Sequence, residues 1–337
     1  MKNSIQIREV GLRDGLQLSK TKLSSEIKIK WCSLQSQAGF KEIEVTSFVP
    51  PSVLPQFSDA SKIVYASNKI NNLIPSVLVP NLKGALIALD NNSKKINFVL
   101  SASEMHNQSN VNSTIEKSLS MFNDFVRERN IRGLKNKVQI SAAIATSFGC
   151  SIQGDVEKKN VIKICEKLLE IGAEELNIAD TVGYANPNQV KEIFKSLNKI
   201  SKNIPLAAHF HDTRGMGLAN VISAIDEGVK RFDASLGGLG GCPYAPGASG
   251  NIATEDCVYM IESMGFSTGI DLKKLLKLRK SLKEWMKNDI LYGNLLTSGF
   301  AKTFLFSIVF PLIIFLIDNS TILPLLVFGM SETSKIL

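Results

Sequence analysis

The feature that most restricts the fold of this 337-residue chain is a regular alternation of short apolar runs with longer amphipathic segments. Eight runs have the length and apolar content of buried strands: residues 4–10, 42–48, 74–79, 96–100, 138–145, 175–179, 206–211 and 231–236. Helix-like periodicity lies between many of them, as in residues 25–38, 114–129, 156–171, 187–200 and 215–227. This order predicts an α/β protein with a closed parallel (β/α)8 TIM barrel.

A doubly wound open sheet also alternates strands with helices, so the alternation favours a barrel but does not exclude the open sheet. Polar residues at the ends of the predicted strands separate the two folds: Arg13-Asp14-Gly15, Thr46-Ser47, Asp180-Thr181 and His211-Asp212. In an α/β barrel these positions all converge on one rim, where the active site lies. The sequence therefore predicts a barrel with an active site at the carboxyl ends of its strands.

The composition changes abruptly from about residue 303. We expect a catalytic barrel domain, residues 1–300, and an atypical hydrophobic C-terminal tail, residues 301–337. Residues 304–317 contain 12 apolar residues in 14. This run is shorter than the roughly 20 residues that a membrane-spanning helix needs, and Pro311 interrupts it. The tail fits a buried or interfacial segment, a membrane anchor or the product of a shifted reading frame. Any membrane contact is expected through this tail alone.

The chain carries a net charge of +8, and its lysines and arginines are spread along helical segments such as residues 191–202 and 273–287. Solvated helix faces explain this distribution, and a modestly basic surface also raises the encounter rate with a polyanionic substrate. No nucleic-acid partner is expected, because no nucleic-acid-binding motif accompanies the charge. The five cysteines form no Cys-x-x-Cys pair and no signal pattern precedes the first strand, so a reducing, cytoplasmic location is expected.

Two histidines, His209 and His211, end the seventh predicted strand. Residues two apart on a strand project to the same face, so both imidazoles can reach one metal ion. A pair of hydrogen-bonded barrel histidines is the structural alternative. Because the chain contains only three histidines, the presence of two of them here favours metal ligands.

Two further residues could complete a metal site with oxygen ligands: Asp14 after the first strand and Asn251 in the last glycine-rich loop. Two imidazoles, a carboxylate and an amide carbonyl leave positions for substrate oxygens on an octahedral ion. This donor set favours Mg²⁺ or Mn²⁺. A structural zinc is disfavoured, because thiolate ligands at a suitable spacing are missing from the sequence.

The glycine-rich loop, residues 237–250, contains six of the chain's 23 glycines. That density allows close backbone approach and movement, as expected of a loop that closes over a substrate, although a plain flexible connection is the alternative. Cys242 lies within this loop. A flexible connection has no need of a thiol, whereas a rim loop can use one as a proton donor, so we predict a catalytic role for Cys242.

Arg13 is a fixed cation beside the predicted ligand Asp14. Such a cation can stabilise an oxyanion that develops on a substrate carbonyl, although an ordinary ion pair explains the two residues equally well when they are taken alone. Glu44 in the second strand and Asp180 after the sixth are candidate carboxylates for orienting Arg13 or for moving protons. Polar groups of the barrel interior are the alternative for both.

Four segments together resemble the hydroxymethylglutaryl-CoA lyase family: residues 10–17, 44–48, 209–213 and 238–256. The last of them contains Gly-Leu-Gly-Gly-Cys-Pro-Tyr-Ala and Gly-Ala-Ser-Gly-Asn, and a match of that length is specific. The resemblance covers about residues 4–300 and stops at the tail. It implies a metal-dependent TIM-barrel lyase, related to isopropylmalate and homocitrate synthases, that cleaves 3-hydroxy-3-methylglutaryl-CoA to acetyl-CoA and acetoacetate.

The resemblance also implies an acyl-CoA substrate, a divalent metal and a homodimer. It assigns roles to individual residues: Asp14, His209, His211 and Asn251 as metal ligands, Arg13, Glu44, Asp180, His209 and Cys242 in catalysis, and Arg13, Gln17 and Ser47 in substrate binding.

The sequence departs from the family pattern in two places. Leu12 replaces a proline that is common in the first motif, and residues 145–154 read Ala-Thr-Ser-Phe-Gly-Cys-Ser-Ile-Gln-Gly where the family usually has Gly-Cys-Pro-Tyr-Glu-Gly. The second segment lies on the predicted rim and leaves the acyl group open. One alternative is a related lyase or synthase acting on a different 3-hydroxyacyl-CoA, although the loop around Cys242 argues against the synthases. The other is a non-catalytic membrane-associated barrel.

Overall fold

The computed structural model describes residues 4–241 and 250–301. Eight parallel strands form a closed barrel in which each strand pairs with the next along the chain and the last pairs with the first. The strands are β1 (Gln6–Glu9), β2 (Glu42–Ser47), β3 (Ile74–Val79), β4 (Lys95–Ser101), β5 (Gln139–Ala145), β6 (Leu176–Asp180), β7 (Leu206–Phe210) and β8 (Arg231–Ala234). The predicted barrel is confirmed, and every strand overlaps its predicted run.

Helices cover the outside of the barrel and follow the strands in the order expected of the fold. They are α1 (Ser25–Gln37), α2 (Ala60–Ser67), α3 (Leu82–Asp90), α4 (Glu104–Val111), α5 (Ile115–Ile131), α6 (Lys158–Ile171), α7 (Pro187–Ser201), α8 (Gly217–Asp226), α9 (Thr254–Ser263), α10 (Leu272–Trp285) and α11 (Leu295–Ser298). The five helical segments named from the sequence correspond to α1, α5, α6, α7 and α8. Within the described ranges, no helix is long and apolar enough to cross a membrane.

Local sequence signals explain where several helices begin. The side chain of Asn186 accepts hydrogen bonds from the amides of Asn188 and Gln189, and the Gln189 side-chain oxygen accepts one from the Asn186 backbone amide. This reciprocal pair, with Pro187 at the first helical position, satisfies amides that have no partner inside the helix and starts α7. Ser24 and Thr114 accept amide hydrogen bonds at the starts of α1 and α5 in the same way.

The main apolar core lies between the strands and the surrounding helices. A representative contact is that of Phe98 in β4 with Phe122 and Phe125 in α5, at ring-centroid distances of 5.5 and 6.4 Å. All three side chains are fully buried. Strands covered by helices on one side and closed on themselves on the other are buried on both faces, which explains their long apolar runs.

The inside of the barrel holds charged side chains near the amino-terminal ends of the strands. We call this set the interior ion-pair layer, and it consists of Arg8, Glu42, Lys95, Glu175, Arg231 and Asp233. Glu42, Lys95 and Arg231 are each the first residue of their strand. Lys95 lies 2.8 Å from both Glu42 and Glu175, and all three side chains are buried. Pairing of this kind is required of charges that are removed from water.

The chain divides into two units, Met1–Leu296 and Thr297–Leu337. Residues 302–337, which include most of the hydrophobic tail, lie outside the described residues. The predicted division into residues 1–300 and 301–337 stays a prediction.

Candidate active site and metal centre

Three of the predicted metal ligands, Asp14, His209 and His211, lie together at the carboxyl end of the barrel. Their ligand atoms are all within 4.8 Å of one another, and all three residues are buried. Atoms Nε2 of His209 and His211 lie 3.8 and 3.6 Å from Oδ2 of Asp14. His209 belongs to β7 and His211 follows two residues later, so both rings lie on one side of the strand, with centroids 5.1 Å apart.

Asp233 of β8 orients the ring of His209. Atom Nδ1 of His209 lies 3.2 Å from Oδ2 of Asp233. An ionised carboxylate only accepts hydrogen bonds, so Nδ1 carries the proton of this bond and Nε2 is directed towards Asp14. Burial lowers the pKa of His209, but the hydrogen bond to Asp233 and the charge of Asp14 outweigh burial and raise the pKa overall. The same two carboxylates favour a cation beside this ring.

Asp14 lies in a π-helical turn, Gly11–Gly15, that follows β1. Its Oδ1 accepts a hydrogen bond from Nη1 of Arg13 at 2.6 Å, and its Oδ2 accepts one from Nδ2 of Asn251 at 2.6 Å. Burial alone would raise the pKa of Asp14, but the charge of Arg13, together with the hydrogen bond to His211 and the charge of His209, holds the pKa well below its usual range. Asp14 is therefore a carboxylate at neutral pH, as a ligand for a divalent cation must be.

Asn251 has an oxygen that fits a metal ion. Its backbone forms a bridge with that of His211, and its Nδ2 donates to Asp14 and to the carbonyl oxygen of Leu239. Its Oδ1 is buried and has no hydrogen-bond partner among the described residues, which is also true of Nδ1 of His211. A buried acceptor without a donor costs about 1–3 kcal/mol, and a bound cation would remove that cost.

The size of the cluster also fits a small divalent ion. Opposite ligands of an octahedral magnesium ion are about 4.2 Å apart, since each lies at about 2.1 Å. At least two of the three pairs in a set of three ligands are adjacent, about 3.0 Å apart on such an ion, so the ligand atoms of Asp14, His209 and His211, which lie within 4.8 Å of one another, would move closer together around it. Two imidazoles with carboxylate and amide oxygens suit magnesium or manganese better than a thiolate-seeking ion.

Gly240 itself lies against this cluster. Its φ angle is 117°, and a Cβ atom there would lie 2.6 Å from Nδ2 of Asn251 and 3.1 Å from the carbonyl oxygen of Asp14. Only glycine fits this position. Residues 242–249, with Cys242, lie outside the described residues, so the predicted role of Cys242 stays a prediction.

Arg13 is held between two carboxylates. Its Nη1 donates to Asp14, and its Nε donates to Oε2 of Glu44. Atom Oε1 of Glu44 accepts a 2.7 Å bond from Nδ2 of Asn97 in β4, and the side-chain oxygen of Gln17 lies 3.5 Å from Nη1 of Arg13. Of the two carboxylates considered for orienting Arg13, Glu44 therefore contacts it. A guanidinium fixed by two carboxylates is pre-organised to stabilise a developing negative charge.

Asp180, the last residue of β6, is a buried carboxyl with an unused oxygen. Its Oδ1 accepts a bond from the Tyr184 amide at 2.8 Å, whereas Oδ2 has no partner within the described part of the chain. Burial raises the pKa of Asp180 and the Tyr184 hydrogen bond offsets part of that rise. Such a group accepts and releases a proton at a higher pH than an exposed aspartate, which suits proton transfer.

Ser47 ends β2 and is buried. Its hydroxyl donates a 3.0 Å hydrogen bond to the carbonyl oxygen of Leu78 in β3, so only its lone pairs are available to a substrate. Its predicted role in substrate binding stays a prediction.

Two supporting residues, Asp233 and Asn97, were missed in the sequence. Asp233 lies two residues after Arg231 on the inner face of β8, and Asn97 lies in β4 between apolar neighbours. The sequence signal for such residues is a polar side chain inside an otherwise apolar strand, at one of the alternating positions that point into the barrel. The partners across the barrel, His209 and Glu44, could be assigned only from the closed sheet.

The protein is a closed parallel barrel, and its carboxyl end holds clustered carboxylate and imidazole ligands beside a fixed arginine. These features are typical of metal-dependent barrel enzymes. The family model described as HMGL-like matches residues 4–282. The chain belongs to this family, and it is a metal-dependent carbon–carbon lyase.

Individual relatives agree with this assignment. The chain is 40% identical to the hydroxymethylglutaryl-CoA lyase YngG of Bacillus subtilis over 291 residues, which are 86% of this chain and 96% of the relative. It is 38% identical to the mitochondrial hydroxymethylglutaryl-CoA lyase of Homo sapiens over 276 residues, 81% of this chain and 83% of the relative. A solved HMG-CoA lyase from Acinetobacter baumannii, in complex with coenzyme A and 3-methylmalate, superposes with a TM-score of 0.84 at 40% identity, covering 90% of this chain and 97% of that one.

Proposed function

We propose that this lyase cleaves 3-hydroxy-3-methylglutaryl-CoA to acetyl-CoA and acetoacetate. The observation that carries the proposal is the position of Arg13, whose guanidinium contacts the ligand carboxylate of Asp14 at 2.6 Å. A cation fixed at that point can face the thioester carbonyl of a substrate whose hydroxyl lies at the ligand cluster. The relatives named as lyases of this ester, one of them with coenzyme A bound, support the same substrate.

Asp14, His209, His211 and Asn251 would hold the metal ion, and we propose Mg²⁺ or Mn²⁺ from their oxygen and imidazole donors. When bound, such an ion supplies a Lewis acid that makes a substrate hydroxyl easier to deprotonate. The remaining chemistry belongs to the side chains of this chain.

The reaction breaks the bond between C2 and C3 of the acyl group. Loss of the hydroxyl proton lets that oxygen form the ketone of acetoacetate, while the electron pair of the broken bond becomes the enolate of acetyl-CoA. Arg13 stabilises the enolate oxygen, and Glu44 keeps the guanidinium in place. We propose that Asp180, with its unpaired Oδ2 and raised pKa, takes the hydroxyl proton. Protonation of the enolate carbon then completes the reaction, and Cys242 is the proposed donor.

The assay that tests this function uses the full chain after treatment with a chelator. Acetoacetate is measured with 3-hydroxy-3-methylglutaryl-CoA alone, with Mg²⁺ and with Mn²⁺. We expect product only when metal is returned, and no product under any condition would refute the proposal. His211→Gln should lose metal binding, whereas the matched variant His106→Gln, altered at a buried histidine of α4 outside the ligand cluster, should retain it.

Cleavage rates for a panel of 3-hydroxyacyl-CoA esters would test which acyl group the enzyme prefers. Thr146, in the divergent segment, is a buried β-branched residue with a φ angle of 56°, at the point where β5 ends. Such a conformation is rare for threonine and marks a constrained piece of the rim. If a different 3-hydroxyacyl-CoA is cleaved faster than 3-hydroxy-3-methylglutaryl-CoA, the proposed substrate is wrong and the proposed reaction type stands. The homodimer is proposed from family resemblance, and light scattering of the full chain checks it.

A further inference from the structure

Glu9, the last residue of β1, is a buried glutamate that belongs neither to the ligand cluster nor to the ion pairs of Arg13. Its side chain is fully buried at the seam where β1 pairs with β8 to close the barrel. Atom Oε1 accepts hydrogen bonds from the amides of Gly11 and Leu236, each at 2.9 Å. Atom Oε2 accepts one from the hydroxyl of Thr254 at 2.8 Å. One carboxylate thus collects three donors that are far apart in sequence.

Each of the three donors begins a segment that serves the candidate site. Gly11 is the first residue of the turn Gly11–Gly15, which carries Arg13 and Asp14. Leu236 is the first residue of a short 3-10 turn, Leu236–Gly238, at the root of the glycine-rich loop. Thr254 is the first residue of α9 and follows Asn251 by three residues. Glu9 therefore connects the two ligand-bearing segments and the loop root.

The fit around Glu9 is close. A Cβ atom at Gly11 would lie 2.6 Å from Oε1 of Glu9 and 2.9 Å from the ring of Trp31. The amide of Gly11 can approach the carboxylate only because residue 11 has no side chain. A shorter acid at position 9 would hold its carboxylate closer to the β1 backbone by about one carbon–carbon bond and could not reach all three donors.

The arrangement depends on hydrogen bonds more than on charge. Among residues 4–241 and 250–301, no cation forms an ion pair with Glu9, and burial raises its pKa to about 7. The neighbouring buried carboxylate of Glu255 accepts a bond from Nε of Arg279 and another from the amide of Gly237. The charge of Glu255 adds to the rise in the pKa of Glu9. A protonated Glu9 still has a carbonyl oxygen for two amides and a hydroxyl for the oxygen of Thr254.

We propose that Glu9 is a positioning residue that fixes the spacing between Asp14 and Asn251 by tying the Gly11 amide, the Leu236 amide and the Thr254 hydroxyl to one side chain. The inference rests on the proposed metal site, in which Asp14 and Asn251 share one ion. Glu9 contacts neither ligand and takes no part in proton transfer. Its effect is on geometry, through the turn that carries Asp14 and the segment that carries Asn251.

A positioning role predicts different outcomes for two substitutions of Glu9. Glu9→Gln keeps the length of the side chain, an oxygen for both amides and an NH₂ group that can donate to the Thr254 oxygen. Glu9→Asp keeps the charge and loses the reach. A geometric role predicts that the glutamine variant resembles the wild type and the aspartate variant does not, whereas an acid–base or charge role predicts the reverse. Thr254→Val removes only the bond at Oε2 in a side chain of nearly equal size.

The experiment is a titration of the full chain with Mn²⁺, with free ion followed by electron paramagnetic resonance and thermal unfolding recorded for each variant. We expect Glu9→Asp to weaken Mn²⁺ binding by at least about tenfold, the range found for residues that support metal ligands. Glu9→Gln should change it by less than about threefold, with Thr254→Val between the two. Glu174→Asp is the matched control, because Glu174 also accepts a backbone amide bond, from Ile140, but at the amino-terminal end of the barrel.

Wild-type Mn²⁺ affinity in Glu9→Asp, or in Thr254→Val if the aspartate variant does not fold, would overturn the proposal. So would a Glu9→Gln variant that binds Mn²⁺ as weakly as Glu9→Asp, since charge would then be decisive. The titration needs no acyl-CoA. A chain that binds Mn²⁺ but does not cleave 3-hydroxy-3-methylglutaryl-CoA would therefore refute the proposed substrate and still decide the role of Glu9.

Discussion

Two sets of charged side chains lie inside the same barrel, and they differ in how completely they are paired. In the interior ion-pair layer, three cations and three carboxylates each contact at least one group of opposite charge. At the carboxyl end, Arg13 pairs with Asp14 and Glu44, but within the described residues Oδ2 of Asp180, Oδ1 of Asn251 and Nδ1 of His211 have no hydrogen-bond partner.

The difference teaches how to distinguish charges that support the fold from charges that bind a ligand. Burial penalises both sets, and the first set recovers the cost through its own ion pairs. The second set leaves acceptors unsatisfied, and a cation with substrate would supply the missing contacts. Matched substitutions in the two sets should therefore have opposite effects on stability and on metal binding.

The largest effect is expected from Asp14→Asn. Loss of the carboxylate should weaken Mn²⁺ binding by more than about 100-fold, because changes to residues that merely support ligands already cost 10–100-fold. Lyase activity should fall with it, while the free energy of unfolding without metal should fall less than for Glu175→Gln, because Arg13 keeps its ion pair with Glu44. Metal titration and urea unfolding measure the two quantities. Asp226→Asn, on the surface of α8, is the control, and wild-type Mn²⁺ binding in Asp14→Asn would remove Asp14 from the ligand set.

Glu175→Gln is the counterpart in the interior layer. Removing one partner of a buried ion pair costs about 3–5 kcal/mol of unfolding free energy, and Glu175 contacts Arg8, Lys95 and Arg231. The folded variant should bind Mn²⁺ within about twofold of the wild type, a margin well below the 10–100-fold cost of supporting residues. A large loss of metal affinity with unchanged stability would contradict the division into two sets.

The same substitution has a pH signature. Burial alone would raise the pKa of Glu175, but the charges of Arg8 and Lys95 outweigh burial and hold the pKa well below its ordinary range. An acid with a lowered pKa stabilises the fold fully above its unfolded pKa of about 4.3, and that contribution is lost as pH falls further. The stability difference between wild type and Glu175→Gln should therefore be constant from about pH 5.5 upward and shrink in more acidic buffer.

Arg13→Gln tests the rim set without removing a metal ligand. Loss of a fixed donor to a developing oxyanion typically costs about 10²–10³ in kcat, and we expect that range here with Mn²⁺ binding retained. Steady-state kinetics and the metal titration measure the two effects. Arg132→Gln, a partly exposed arginine paired with Asp90, should keep the wild-type rate. Full activity of Arg13→Gln would show that the oxyanion is stabilised elsewhere.

Periodicity, together with the polar residues at the strand ends, was enough to predict the barrel, and spacing was enough to predict that His209 lies close to His211. All eight strands were anticipated because apolar runs buried on both faces are continuous in sequence. The two histidines lie two apart on one strand, so local geometry alone gives them a common face. The pairing of Arg13 with Glu44 was one of two options, and only the closed sheet, with β2 beside β1, selects it.

The supporting residues could not be predicted from the sequence, because their partners are set by barrel register. Asp233 reaches His209 since the two residues pair across β7 and β8. Glu9 reaches Leu236 and Thr254, which lie more than 200 residues away in sequence. No local pattern distinguishes either carboxylate from an ordinary interior polar residue. Their roles follow from what the closed barrel brings beside them.

Asp233 belongs to both sets, and its substitution is expected to have the smallest effect of the four. It accepts hydrogen bonds from Arg8 at 2.6 Å and from Asn177 at 2.7 Å, and it orients His209. Burial alone would raise its pKa, but the charge of Arg8 and the bond to His209 lower the pKa to about 2.

Asp233→Asn keeps the shape of the side chain and can still accept the His209 hydrogen bond, but it removes the charge. We expect Mn²⁺ binding to weaken by about 10–100-fold, less than for Asp14→Asn. The loss of stability should be smaller than for Glu175→Gln, because Arg8 keeps its contacts with Glu175 and Glu42. A variant that loses stability but keeps its Mn²⁺ affinity would mean that the interior layer and the rim are independent, and that Asp233 serves only the fold.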